Sequence, residues 1–219
     1  MTSRTRMTSK AVRNDDTPVN GPELLGDSWQ QLDTYAQMLW DEGEERGLIG
    51  PRELPRLWSR HILNSMAIND YIPQRAVSID IGSGGGLPGI VLATTRPDVH
   101  VHLVESMERR VTWLEEVVHA LDLTNVTIHR TRIQDLHGEF QAQIVTARAV
   151  AALKKLVSMA MPVLKSGGKL VALKGERAQL EIDDARSAFK KNKVATVDLH
   201  VVEVPGTDEA TRVVVATKR

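Results

Sequence analysis

The sequence predicts an α/β fold in which helices cover both faces of a mostly parallel sheet, with a small helical addition at the amino-terminal end. Two observations carry this prediction. From Val77 onward, short runs of β-branched and apolar residues alternate with longer stretches of helical periodicity, which is the pattern of a parallel sheet with crossover helices. Before Val77, apolar residues recur only at helical spacing. The 219 residues, 42% of them hydrophobic, are enough for one full core and a small appendage.

The helical addition is the first predicted element, and we place it at residues 21–72. Its first helix is indicated by one apolar face, and a second helical run follows between Leu54 and Ser65. Three of the four Trp residues lie here, and we expect them to pack this appendage onto the main domain at 73–219. Residues 1–20 are polar and are predicted to form a flexible tail. The apolar face of the first helix consists of Leu25, Trp29, Leu32, Ala36 and Leu39.

Seven strands are predicted, with helices between the first five. Only six residues, Pro-Gly-Thr-Asp-Glu-Ala, join the last two strands, which is too short for a parallel crossover and predicts an antiparallel hairpin. A mostly parallel sheet that ends in this way resembles the class I (Rossmann-like) methyltransferase fold, whose last strand inserts beside its fifth. The predicted strands are Val77–Ile81, Val99–Val104, Val126–His129, Ile144–Ala147, Lys169–Lys174, Val197–Val204 and Thr211–Thr217, and the predicted helices lie near 87–95, 107–121, 151–164 and 176–191.

The composition excludes several classes of function. The 28 basic and 28 acidic residues cancel, so any binding of nucleic acid depends on a local cationic patch. The lack of cysteine rules out disulfides, cysteine metal sites and a thiolate nucleophile. No apolar run is long enough to cross a membrane. We therefore expect a cytoplasmic monomer that holds no metal ion and binds no membrane.

The strongest motif is a glycine-rich loop directly after the first predicted strand. Asp80 lies in the strand, Gly82–Gly86 contains four glycines, and Pro88 suits the first position of the helix that follows. Glycine allows positive φ angles and lets a ligand approach the backbone without a Cβ in the way. The arrangement of strand, glycine loop and helix start predicts a nucleotide-like ligand.

Two cofactors compete for this loop. Gly84–Gly89 matches G-x-G-x-x-G, the dinucleotide pattern, and Asp80–Gly86 matches D-x-G-x-G-x-G, the usual S-adenosylmethionine (SAM) pattern. In a dinucleotide site the first glycine follows the strand almost at once, and counting from Gly82 the third glycine would fall on Leu87. The carboxylate of Asp80 also suits the ammonium group of SAM. The register therefore favours SAM, with Asp80, Gly82, Gly84 and Gly86 as cofactor-binding residues.

A second acidic residue closes the second predicted strand. Glu105 lies 19 residues beyond Gly86 (105 − 86), where a carboxylate can accept the ribose hydroxyls of a nucleotide. Both NAD and SAM contain a ribose, so Glu105 indicates a ribose-containing cofactor but does not distinguish NAD from SAM. Ser106 follows and is suited to cap the next helix.

Four segments resemble the RsmG (GidB) family of small-subunit ribosomal RNA guanine methyltransferases. They are Arg60–Ser65 (RHILNS), Asp80–Gly89 (DIGSGGGLPG), Thr146–Ala149 (TARA) and Leu173–Gly175 (LKG), in family order and spacing over roughly residues 25 to 219. The resemblance implies SAM-dependent methylation of guanine N7 at position 527, in conventional numbering, of 16S rRNA, with the free RNA or the small subunit as partner.

This sequence departs from the family pattern at three places. Asn64 stands where the family usually has Asp, and Ala147 stands where it usually has Ser. The family's Asn-Leu-Thr segment is replaced by the neighbourhood of Gly47–Gly50. Any role that needs a charge at position 64 is therefore in question.

The resemblance also implies particular residues. By matching motif positions, the SAM contacts fall on Gly82, Leu87, Ile133, Gln134 and Arg148. Guanine N7 carries an in-plane lone pair and no proton, so its methylation needs no general base and depends mainly on alignment. Catalysis is assigned firmly to no residue.

Cationic residues near the carboxyl edge of the predicted sheet are candidates for RNA binding and catalysis. Arg148 and Lys174 are the catalytic candidates, and Arg60, His61, Lys174 and Arg177 are the RNA-binding candidates. Arg60 and His61 serve equally well to tie the appendage to the core. Two other functions stay open from the residues: a SAM-dependent small-molecule methyltransferase and a dinucleotide-dependent oxidoreductase.

Overall fold

The computed structural model describes residues 16–219, and seven strands in this part of the chain form one sheet. They are β1 (Val77–Ile81), β2 (His100–Glu105), β3 (Val126–Arg130), β4 (Ala142–Arg148), β5 (Leu164–Lys174), β6 (Val194–Glu203) and β7 (Ala210–Lys218). Their order is β3-β2-β1-β4-β5-β7-β6. The first five strands pair in parallel, and β7 is antiparallel to both β5 and β6. The predicted fold is confirmed, including the insertion of the last strand beside the fifth.

Helices cover both faces of this sheet. None of those in the described part of the chain is long and apolar enough to span a membrane. A π-helical segment, Leu57–Leu63, leads directly into the short helix α3. The α-helices are α1 (Gly21–Leu25), α2 (Trp29–Glu42), α3 (Asn64–Met66), α4 (Gly89–Thr95), α5 (Glu108–Ala120), α6 (Leu153–Ala160), α7 (Ala178–Asp184) and α8 (Arg186–Lys191).

Two predicted helices are shorter than the sequence suggests. The helix predicted at 151–164 ends at Ala160, and a 3₁₀ turn at Met161–Val163 leads straight into β5. Pro162 explains this end, because proline has no backbone N–H and crowds the preceding turn of a helix. The helix predicted at 176–191 divides at Ala185 into α7 and α8.

The appendage and the sheet share one hydrophobic core. A single cluster contains Leu32 and Ile62 of the appendage together with Val101 and Leu103 of β2, all fully buried. The rings of Trp29 and Trp58 stack within the appendage with their centroids 5.3 Å apart. Trp58 belongs to the cluster shared with β2 and Trp29 packs against it, as expected for residues that join the appendage to the main domain. A second cluster covers the opposite face, where α6, α7 and α8 pack on β4 and β5.

The amino-terminal tail is predicted at residues 1–20, and most of it lies outside the described residues. The structure describes this stretch only from Asp16, whose carboxylate accepts a hydrogen bond from the backbone N–H of Ser59 at 3.0 Å. The described end of the tail therefore contacts the appendage directly.

The carboxyl edge of the sheet collects the residues that the sequence singles out. The glycine loop follows β1, Glu105 ends β2, Arg148 ends β4 and Lys174 ends β5. Because β7 runs antiparallel to β5, its first residues lie at the same edge, and Arg212 lies opposite Lys174 in the register of the two strands. Ligands of open α/β sheets bind at this edge.

Candidate active site

The glycine loop needs three of its glycines for backbone reasons. Gly82, Gly84 and Gly86 have φ angles of 64°, 55° and 106°, in the region that side chains avoid. A Cβ on Gly86 would also lie 2.6 Å from Cγ1 of Ile90. The prediction that Pro88 occupies the first helical position is wrong by one residue, because Pro88 is the residue just before α4.

Asp80 lies beneath the loop and is fully buried. Its Oδ1 accepts a hydrogen bond from the hydroxyl of Thr146 at 2.9 Å, while Oδ2 has no hydrogen-bonding partner among the described side chains. Burial raises the pKa of Asp80 to about 7, against the opposing effect of the Thr146 hydrogen bond. The predicted contact of Asp80 with an ammonium group stays a prediction, and it requires access through the loop.

Glu105 supports both the loop and the start of α5. Its carboxylate accepts hydrogen bonds from the N–H groups of Gly84 at 3.1 Å and Met107 at 2.9 Å. The prediction that Ser106 caps this helix is wrong, because α5 begins at Glu108 and Met107 is its N-cap residue. Arg110, which the sequence reasoning missed, places Nη1 3.7 Å from the Glu105 carboxylate. Its position in the first turn of α5, soon after Glu105, is the signal that could have found it.

The turn after β3 offers an apolar and a polar residue side by side. Ile133 and Gln134 begin a 3₁₀ helix, Ile133–Leu136. Ile133 is 3% exposed and belongs to the second core cluster, whereas Gln134 is exposed. The predicted contact of this pair with an adenine ring stays a prediction.

The loop and Glu105 fit a ligand that carries a ribose. Gly82 is exposed, and a Cβ on Gly84 would meet nothing closer than 3.6 Å, so ligand atoms can approach this backbone. A carboxylate has about four acceptor sites, so Glu105 keeps capacity for hydroxyl groups beyond its two backbone bonds. Gly86 and Leu87 are buried and shape the loop from within.

A cleft of about 960 Å³ opens beside the loop, between the appendage and the ends of β4, β5 and β7. Arg148 lines the cleft and links the end of β4 to the appendage. The guanidinium group donates to the backbone carbonyl of Arg60 at 3.1 Å and to Nδ1 of His61. Other charged and polar side chains that line the cleft include Glu53, Arg56, Asn64, Lys174, Glu181, Glu209 and Arg212.

His61 has both ring nitrogens engaged. Because Arg148 can only donate, Nδ1 of His61 is the acceptor, and Nε2–H donates to Glu53 at 3.0 Å. Burial lowers the pKa of His61 to about 4, and the charge of Arg148 lowers it further. His61 is therefore neutral at pH 7. These contacts support the interpretation that Arg60 and His61 tie the appendage to the core, although both also line the cleft.

Lys174 is largely committed inside the protein. Its Nζ donates to the carbonyl of Ala151 at 2.9 Å and pairs with Glu181 at 2.8 Å, and its side chain is 10% exposed. Arg177 is exposed but is not part of the cleft lining. Arg212, like Arg56, is a cation of the cleft that the sequence reasoning missed. The insertion of β7 beside β5 is the signal that would have found it.

Two of the three departures from the family motifs, at positions 64 and 147, lie in different surroundings. Asn64 lines the cleft, so the change from Asp to Asn removes a negative charge where cations gather. Ala147 is 1% exposed in the core, where its methyl group packs without needing a hydrogen-bonding partner. The charge difference at position 64 is the one that faces the cleft.

The fold and the site together define a protein of the class I methyltransferase type. The solved structure of a SAM-dependent methyltransferase from Aquifex aeolicus superposes with a TM-score of 0.55 at 15% sequence identity, covering 81% of this chain and 98% of that one. Similarity at this level of identity shows the fold.

Sequence comparison shows the family. Residues 28–210 match the family described as rRNA small subunit methyltransferase G. The ribosomal RNA small subunit methyltransferase G of Beutenbergia cavernae is 51% identical over 191 residues, covering 87% of this chain and 90% of that protein. The protein of the same description from Thermobifida fusca is 47% identical over 195 residues, covering 89% and 82%.

The chain belongs to the rRNA small subunit methyltransferase G family. This membership confirms the resemblance seen in the motifs and decides against the dinucleotide-dependent oxidoreductase and the small-molecule methyltransferase.

Proposed function

We propose that this protein transfers the methyl group of SAM to N7 of a guanine in 16S rRNA, at position 527 in conventional numbering. Methylation of small-subunit rRNA is the activity named for the family. The choice of guanine N7 rests on the chemistry of the cleft. The substrate is the free rRNA or the small ribosomal subunit that contains it.

The cofactor side of the edge consists of the loop, Glu105 and the turn after β3. Bound SAM supplies an electrophilic methyl group on a sulfonium sulfur. Glu105 holds the ribose hydroxyls through the acceptor sites that Gly84 and Met107 leave free. Ile133 and Gln134 give the adenine an apolar contact and an amide. Gly82 lets the ligand reach the backbone, since it is exposed and has no Cβ.

The choice of N7 as the methylated atom rests on the hydrogen bonds and the lowered pKa of His61. A histidine in a methyltransferase cleft is the natural general base, but this one accepts from Arg148, donates to Glu53 and has a pKa lowered to about 4 by burial. It is therefore not available to remove a proton at neutral pH. Guanine N7 needs no proton removed, whereas an exocyclic amino group does. Alignment of the nucleophile is the main task left to the protein.

The RNA side of the edge is formed by the cleft cations. Arg148 lies between the loop and the cleft and is suited to hold O6 of the guanine or a phosphate. Arg56 and Arg60 pair with Glu209 at 2.5 Å and with Glu53 at 3.0 Å, and they exchange these partners for phosphates when RNA binds. Binding is therefore sensitive to salt.

The chain divides into three parts. Residues 21–72 supply the wall of the cleft that faces the RNA, and residues 73–219 form the methyltransferase domain, with a tail at 1–20. The shared core supports the view that the two parts act as one unit.

Mapping of the methylated atom tests this function. The full chain is incubated with radiolabelled SAM and with small-subunit rRNA or subunits from cells that lack the modification. Reduction and aniline treatment then cleave RNA at N7-methylated guanosines. We expect one cleavage, at the proposed position, and no labelling of RNA from cells that already carry the methyl group. Label without cleavage, or cleavage elsewhere, would contradict the proposal.

A further inference from the structure

One carbonyl oxygen of the glycine loop accepts two buried hydrogen bonds. The hydroxyl of Tyr35 donates to the carbonyl of Gly85 at 2.8 Å, and Nε1 of Trp113 donates to the same oxygen at 2.9 Å. Tyr35 lies on α2 of the appendage and Trp113 on α5. Both side chains are fully buried. Two helices from different parts of the chain thus meet at one atom of the loop.

These two donors fill the acceptor capacity of that oxygen. A backbone carbonyl has two lone pairs, and each is used here by one side chain. Burial raises the pKa of Tyr35 far above its ordinary value, so the hydroxyl stays protonated and can donate. Packing alone would be served by phenylalanine at position 35, so the hydroxyl has a role of its own.

The consequence for the loop follows from the planarity of the peptide bond. Fixing the carbonyl of Gly85 fixes the N–H of Gly86, which donates to the carbonyl of Ser83 at 2.7 Å. The peptide unit is therefore held at three points. It sets the positive φ of Gly86, where the loop turns back toward α4. A Cβ on Gly86 would lie 2.8 Å from the Tyr35 hydroxyl oxygen, so this hydroxyl is in direct contact with the turn.

The open part of the loop depends on this anchored turn. Gly82 is exposed and Gly84 is half-buried. On the β2 side their path is fixed by the N–H of Gly82, which donates to the carbonyl of Val104 at 2.9 Å, and by the N–H of Gly84, which donates to Glu105. On the other side it is fixed by the anchored turn at Gly86. Loops are ordinarily mobile, and a loop already held in its binding conformation loses less entropy when a ligand binds.

We infer that Tyr35 and Trp113 are positioning residues for the cofactor, acting through the carbonyl of Gly85 to hold the loop ready for SAM. This inference rests on the proposed function. It makes the appendage part of the cofactor site as well as a wall of the RNA cleft. A methyltransferase sheet without α2 would retain the glycine loop and lose one of its anchors.

A pair of tyrosine variants tests the inference in the full chain. The protein contains two tyrosines, and Tyr71 provides the matched control, since its ring packs against His200 and its hydroxyl makes no hydrogen bond to the described residues. Tyr35→Phe and Tyr71→Phe each remove one hydroxyl. We expect the dissociation constant for SAM, measured by calorimetry, to rise about tenfold in Tyr35→Phe and to stay unchanged in Tyr71→Phe.

Kinetics separate positioning from a general structural effect. With rRNA as methyl acceptor, Tyr35→Phe should raise KM for SAM about tenfold and leave kcat and KM for RNA near the wild-type values. Trp113→Phe, which removes the second donor, should shift KM for SAM in the same direction. An unchanged affinity for SAM in Tyr35→Phe overturns the inference. A loss of kcat without a change in KM for SAM overturns it too.

The outcomes also distinguish this inference from the proposed function. Wild-type protein that binds no SAM contradicts the proposed function and the inference together. Wild-type protein that binds SAM and a Tyr35→Phe variant that binds it equally well contradict the inference alone.

Discussion

The glycine loop beside β1 and the cleft beside β4 and β5 lie at the same edge of the sheet but are held by different forces. The loop depends on positive φ angles and on buried hydrogen bonds, such as those of the Ser83 hydroxyl to the Asp80 carbonyl and of the Tyr35 hydroxyl to the Gly85 carbonyl. The cleft is held by ion pairs that solvent partly reaches, such as Arg60 with Glu53. Changes in backbone geometry should therefore damage the loop most, and changes in surface charge or salt should act mainly on the cleft.

The largest effect is expected from Gly86→Ala. This substitution forces a side chain into a φ of 106° and brings its Cβ to 2.6 Å from Ile90, so strain and overpacking add. We expect the free energy of unfolding to fall by about 5 kcal/mol in urea titrations.

Gly138→Ala is the control for that substitution. Gly138 also has a positive φ, of 88°, but a Cβ there would meet nothing within 4 Å. The free energy of unfolding of Gly138→Ala should fall by only about 1–2 kcal/mol, which is the contribution of backbone strain alone. Equal losses in the two variants would show that close packing behind the loop is not what fixes it.

The two regions should respond to pH with opposite signs. The pKa of Asp80 is raised to about 7 in the folded protein, so its contribution to stability is lost as pH rises from about 4 to about 7. The pKa of His61 is lowered to about 4, so its contribution is gained as pH rises from about 4 to about 6.5.

Asp80→Asn should isolate the first of these effects. The stability of the wild type relative to this variant should fall by up to about 4 kcal/mol between pH 4 and pH 7. His61→Gln should give the opposite slope, with the wild type gaining relative to the variant. Parallel stability curves for wild type and Asp80→Asn would mean that the buried carboxyl does not titrate in this range.

A smaller effect is expected at Lys174, within the cleft. Lys174→Met leaves the Ala151 carbonyl without its donor and Glu181 without its cation, so the free energy of unfolding should fall by about 2 kcal/mol. Arg186→Met is the control: it breaks the exposed ion pair with Asp183 and should change the free energy of unfolding by less than about 0.5 kcal/mol. Similar losses would indicate that Lys174 is free to contact RNA instead of bracing the edge.

The features that sequence alone can predict are those set by backbone requirements. Positive φ angles restrict Gly82, Gly84 and Gly86 locally, so the spacing of these glycines is enough to indicate the loop. The antiparallel pairing at the end of the chain is predictable because the short connection before Thr211 forces a hairpin.

The features that sequence cannot predict depend on which distant residues meet. Tyr35 fits the pattern of an amphipathic helix like its neighbours, and only the tertiary packing brings its hydroxyl to Gly85. Lys174 and Glu181 are seven residues apart, and their pairing depends on how the chain turns between the end of β5 and α7. Ser106 is the better cap by residue type, but the carboxylate of Glu105 is the group that reaches the N–H of Met107.

A crossed binding measurement tests most directly the claim that the loop side holds SAM and the cleft holds RNA. Dissociation constants for SAM and for small-subunit rRNA are measured for Glu105→Ala and Arg212→Ala. Glu105→Ala should weaken SAM binding at least about tenfold with RNA binding unchanged. Arg212→Ala should weaken RNA binding and reduce its salt dependence, with SAM binding unchanged. Equal effects of both variants on both ligands, or unchanged affinity for SAM in Glu105→Ala, would contradict the account.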